Sequence, residues 1–108
     1  MDIDFIKQQE TANDGQTIYL FYDEMVGTYL AFGLSAYYTT MILSPIMSFS
    51  DTMRMPVALL DRGHIQNLRQ SVTTLEHQAK SYYRLRLRTK VGTAGYNRWM
   101  TDTFGDRG

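Results

Sequence analysis

The run Tyr83-Arg84-Leu85-Arg86-Leu87-Arg88-Thr89-Lys90 carries the clearest chemical pattern in this 108-residue sequence. A strand sends alternate side chains to opposite faces, so Leu85 and Leu87 would turn inward while Arg84, Arg86, Arg88 and Lys90 share the other face. Residues on one face recur about 6 to 7 Å apart, a spacing that suits a row of phosphates. Together with Arg98, these four cations are the candidate nucleic-acid contacts. The same charges also suit an edge strand guarded against aggregation, and the pattern alone leaves both readings open.

Catalysis asks for a nucleophile, a tuned acid or base, or a metal, all within hydrogen-bond reach. His64 and His77 are thirteen residues apart and lack the two-histidine spacing of a zinc-binding helix, so surface or capping roles are expected for both. Asp23 and Glu24 are adjacent, and on a strand they would point to opposite faces rather than pair. Neither glycine-rich phosphate loop is present. Without cysteine there is no disulfide framework, no thiolate zinc site and no thiol nucleophile. The expectation is a protein that is not an enzyme and uses no cofactor or metal. Eight tyrosines, five phenylalanines and one tryptophan are read as core and rim packing, with base stacking as the alternative.

The elements that would position the basic run follow from periodicity and punctuation. Residues 1–16 are polar and end in Asn13-Asp14-Gly15, a leader or short helix to which no function is assigned. Ile18 to Tyr22 and Thr28 to Phe32, with Gly27 between them, read as a β-hairpin. Ser35 stands as the N-cap of a two-turn helix that Pro45 stops. Ser48 to Met53 is a strand or an irregular loop, Val57 to Leu60 a buried strand, and Ile65, Leu68, Val72 and Leu75 recur at helical spacing. After the basic strand, Gly92 and Gly95 break the chain before a terminal helix over Tyr96 to Phe104. This order of strands and helices predicts an α/β or α+β fold: a small mixed β-sheet with flanking helices, as one domain over 17–108.

The composition of 44% apolar and 20% charged residues is that of a globular chain. The acidic start lacks the pattern of a signal peptide, which makes a cytoplasmic location the default. No charge falls between Glu24 and Asp51, but Gly27, Gly33, Pro45 and several hydroxyl residues interrupt that stretch, so buried core is expected rather than a membrane span. Net charge is zero. Residues 1–55 nevertheless hold seven acidic and two basic side chains, and residues 56–108 hold four acidic and nine basic ones. That division becomes an electrostatic field only if the fold separates the halves.

Leu20-Phe21-Tyr22, followed by Tyr29, Phe32 and Ala36, and then Met55-Pro56-Val57-Ala58 with Ile65, Asn67 and Leu68, resembles the N-terminal mismatch-recognition domain of the MutS family of DNA mismatch-repair proteins. The resemblance covers about half the chain and implies that family's fold, a mixed sheet with flanking helices. The family reads a mismatch with Phe-x-Glu, a ring that stacks on the base and an acid that hydrogen-bonds it. Thr28 and Leu30 stand at those positions here, and neither can do that chemistry.

Two functions follow as expectations. One is a stand-alone module that binds DNA or other nucleic acid weakly and without sequence preference, through Arg84, Arg86, Arg88, Lys90 and Arg98. The other is a protein-interaction or self-assembly domain that uses its oppositely charged halves and a strand edge. No membrane partner is expected.

Overall fold

Two apolar faces diverge along one strand. In β1 (Thr17–Asp23), Ile18 and Leu20 join one core cluster while Tyr19 and Phe21 join another, because successive strand side chains point to opposite sides. The computed structural model describes residues 2–71, 73–79 and 82–105. Among them β1 is preceded by α1 (Ile3–Thr11) and followed by β2 (Thr28–Phe32), α2 (Gly33–Thr40), β3 (Ile46–Ser50), β4 (Met55–Leu60), α3 (Arg62–Ser71), β5 (Thr73–Ala79), β6 (Tyr82–Leu87) and α4 (Tyr96–Phe104). The strands form one six-stranded sheet in the order β3-β4-β2-β1-β6-β5, antiparallel at every junction. The chain is thus a mixed α/β fold, a sheet with flanking helices.

On the first face Ala36 and Tyr38 of α2 and Ile65 and Leu68 of α3 pack against Ile18, Leu20, Ala31, Ala58, Leu60 and Leu85. Helix α4 lies over α2 and β3, with Trp99 5.2 Å from the Tyr37 ring and Phe104 5.6 Å from the Phe49 ring. Among the described residues the helix on the second face is α1, whose Ile6 packs with Tyr19, Phe21 and Phe32. The stretch 1–16, drawn from sequence as a polar leader or short helix, therefore contains a helix with Ile6 and Glu10 buried.

Three local expectations are corrected. The helical spacing of Ile65, Leu68 and Leu75 runs past the end of α3, because Leu75 belongs to β5 and pairs with Leu85 of β6. Neither glycine nor proline marks that boundary, and Val72 lies outside the described residues. Strand β6 is paired on both sides, with β1 and with β5, so edge protection does not explain its charges. Ser35 does not cap α2, which begins two residues earlier at Gly33.

The cap of α2 comes from another helix. The first amides of a helix have no partner within it, and here the Glu10 carboxylate of α1 accepts from the Leu34 and Ser35 amides and from the Ser35 hydroxyl. Ser35 Oγ in turn accepts from the Tyr19 amide at 2.9 Å, so α1, α2 and β1 meet at one buried carboxylate. Gly33 starts α2 with a φ of +59°, a conformation that side-chain-bearing residues rarely adopt.

Burial pushes the Glu10 carboxyl up to about 7, outweighing the hydrogen bonds that pull it down. The native state therefore keeps a proton that the unfolded chain releases near the ordinary carboxyl value of 4.5. Stability falls as pH rises through that window and levels off above it, by roughly 3 kcal/mol in all. Urea midpoints should be lower at pH 8 than at pH 5, and Glu10→Gln should remove most of that difference; an unchanged difference in the variant would show that Glu10 does not titrate in the window.

A second junction fixes the segment after β6. The Gly15 carbonyl accepts from the Val91 and Gly92 amides at 3.0 and 2.9 Å, and the Tyr38 hydroxyl donates to the Gly92 carbonyl at 2.7 Å. Gly15 has φ +83°, and a Cβ would meet the Gly92 Cα at 2.9 Å, whereas Gly92 (φ +81°) has open space around it. Gly92→Ala should cost about 1 kcal/mol of backbone strain, and Gly15→Ala roughly 2 kcal/mol or more, since two backbones must also separate. Equal costs in chemical denaturation would show that the close approach is unimportant.

Candidate nucleic-acid interface

The basic run does not form one row. Arg84 and Arg86 lie on β6 opposite Tyr19 and Thr17 of β1, on the sheet face that α1 partly covers. The strand ends at Leu87, so Arg88 and Lys90 fall in the bend beyond it. Arg88 borders an apolar hollow of about 330 Å3 with Tyr38, Met41, Ile42 and Val91. Arg98 sits on the exposed side of α4, 3.9 Å from Asp102.

Arg86 is already engaged. Its guanidinium donates to Asp14 Oδ2 at 2.9 Å and to Gln16 Oε1 at 3.1 Å, and Glu76 lies 3.9 Å away. Burial works against the charge on Asp14, but the Gln16 amide, the Arg86 guanidinium and the Thr17 hydroxyl together hold its carboxyl below the usual range. Arg84 is hydrogen-bonded to Tyr82, whose hydroxyl burial pushes up and Arg84 pulls back. The acids that meet this strand are therefore Asp14 and Glu76, which come from the turn before β1 and from β5.

A different cationic site is assembled on the opposite face. Tyr22 and Tyr29 are register partners on β1 and β2, and the three rings of Tyr22, Tyr29 and Tyr83 stand in a row with centroids 5.0 and 5.5 Å apart. Beside them runs α3, whose start is held by a reciprocal cap: Asp61 Oδ1 accepts from the His64 amide at 2.8 Å, and His64 Nδ1 accepts from the Asp61 amide at 3.3 Å. That capping role is the one expected for His64. Arg62 and Arg69 are seven residues apart, two helical turns and about 10 Å, so both fall on one side of α3.

Two adjoining hollows of about 370 and 450 Å3 share Tyr29 and Arg62. The first is completed by Ile65, Gln66, Arg69 and Tyr83, and the second by Tyr22, Gly27, Leu60, Asp61 and Gly63. Burial raises the Tyr29 hydroxyl, its hydrogen bond with Tyr83 raises it further, and the Arg62 charge opposes both. The arrangement offers rings, amide and hydroxyl donors and two guanidinium groups, the parts that stack on planar groups and bind phosphate.

Sequence reasoning missed this groove because its parts come from β1, β2, α3 and β6. The available signals were the Arg62–Arg69 spacing on a recognised helix and the tyrosine content. Among the described residues no three His, Asp or Glu side chains converge as metal ligands, and no described helix is long and apolar enough to cross a membrane. His77 is exposed, with its ring 5.1 Å from that of Tyr82.

Compared with known proteins, the chain matches no family model, no curated protein and no solved structure. At the two positions where the MutS resemblance would place a reading ring and acid, the Thr28 hydroxyl donates to the Leu60 carbonyl at 2.8 Å. Leu30 borders an apolar hollow on the far side of the sheet from the tyrosine row.

Proposed function

We propose that this chain is a non-catalytic module that binds single-stranded nucleic acid weakly and with little sequence preference. The observation that supports it is the groove in which Tyr22, Tyr29 and Tyr83 stand beside Arg62 and Arg69. Aromatic faces accept any base, and guanidinium groups follow the backbone, so the combination favours strands whose bases are unpaired. Arg84, Arg88, Lys90 and Arg98 add a general positive field, while Arg86 contributes less because Asp14 and Gln16 occupy it. The shared fold implied by the MutS resemblance is compatible with this role, without the ring and acid that read a mismatch.

The test is fluorescence anisotropy of a labelled oligothymidine and of a duplex, at about 50 and 200 mM salt. Two phosphate contacts should give a salt slope near −1.4, from about 0.7 per contact on a single strand, with the single strand bound more tightly than the duplex. The double variant Arg62→Ala/Arg69→Ala should weaken binding at least tenfold, and Tyr29→Phe should leave it unchanged. Loss of binding in Arg84→Ala/Arg88→Ala alone would move the interface to the basic run, and no salt-dependent binding at 50 mM would overturn the proposal.

A further inference from the structure

Three helices rest on the first face of the sheet and one short helix on the second. On that second face Ile6 of α1 and Met53 bury Phe32 of β2 and Val57 of β4, so the face is open only toward the other end of β2, β4 and β3. In register across those three strands stand Leu30, Leu59 and Ile46. Leu30 and Leu59 are half-buried, and Ile46 is 71% exposed. A hollow of about 460 Å3 lies over Leu30 and Leu59 and is bordered by Val26, which is 63% exposed, by Ile3, and by Ser48, Ser50 and Thr52; Ile46 stands outside it in register with Leu59. Exposed apolar side chains grouped in this way are a feature of interaction surfaces.

The border has one dominant sign. Asp23 lines the hollow directly; Glu24 follows it in the β1–β2 turn, Asp51 lies in the β3–β4 turn beside the lining residue Thr52, and Asp2 and Asp4 flank Ile3. No ion pair engages any of these five acids among the described residues. The nearby bases are Lys7 on α1 and Arg54 in the β3–β4 turn. Neighbouring acids that no cation neutralises favour an incoming positive charge and repel phosphate.

We propose that this face docks one amphipathic helix of a protein partner, with its apolar side on Leu30, Leu59 and Ile46 and lysine or arginine residues facing the acidic border. A helix fits because the open floor is about three strands wide and lies on the sheet's face rather than at its edge, as α1 does beside it. A symmetric second copy would set an acidic border against the same acidic border, which disfavours it. The surface is independent of the tyrosine–arginine groove, which lies on the opposite side of the sheet.

The probes are a 14-residue leucine/lysine amphipathic helical peptide and its leucine/glutamate counterpart with the same apolar side, each titrated into 15N-labelled full chain. The lysine peptide should shift amides of β2, β4 and β3, bind more weakly as salt rises, and lose at least tenfold in affinity in Ile46→Lys and in Val26→Lys. Both substitutions are at exposed positions, and each variant should keep wild-type oligothymidine binding, which separates this proposal from the previous one. Shifts confined elsewhere, equal binding of the glutamate peptide, or a dimer in sedimentation that Ile46→Lys dissociates would each overturn it.

Discussion

A carboxylate taken out of water must find donors for its oxygens, and Glu10 finds them in the first turn of a helix that follows the whole β1–β2 hairpin. Its bonds to Leu34 and Ser35 satisfy α2, and the Ser35 hydroxyl carries the connection on to the Tyr19 amide of β1. With α2 held in this way, its Ala36 and Tyr38 fill the first face, and Tyr38 reaches the segment after β6. With α1 held, Ile6 closes part of the second. The interaction carries a desolvation cost, which is why Glu10 retains a proton into the neutral range and why the anchor is strongest where the carboxyl is protonated.

Sheet order turns a difference along the chain into a difference in space. Strands β1 to β4 are contiguous, and β6 and β5 extend the sheet beyond β1, so the acidic first half and much of the basic second half occupy different sides. Helices α3 and α4 are exceptions, since Arg62 of α3 stands beside Tyr22 and Tyr29 of β1 and β2, and α4 folds back over α2 and β3 and brings Arg98 with it. The two faces differ as well. One presents tyrosines and the arginines of α3, and the other carries Arg84 and Arg86 at its β6 end and Leu30, Leu59 and Ile46 across β2, β4 and β3.

Much of the secondary structure was legible in local pattern. The β1–β2 hairpin, the strand of Val57 to Leu60, the alternation of β6 and the terminal helix all follow from period and turn residues, because those signals act within a few residues. The misread places share a cause. Leu75 continues a helical spacing that the pairing of β5 with β6 overrides, and Ser35 looks like a cap only while Glu10, twenty-five residues away, is out of view. The basic run was visible as a charged strand, but its interior position and the engagement of Arg86 by Asp14 depend on contacts across about seventy residues.

A globular α/β chain without cysteine chemistry, with a charge division between its halves and two well-marked hairpin strands, can be read from the residues alone. Those properties are set by composition and by side-chain period, which every stretch of chain carries locally. Which charges stand beside which rings depends on the folded chain: Arg62 and Arg69 meet Tyr22, Tyr29 and Tyr83, Arg86 meets Asp14, and Leu59 stands between Leu30 and Ile46. Such neighbours are fixed by strand order and register, and register is chosen by the burial of whole faces at once, a condition that no short segment of the chain contains.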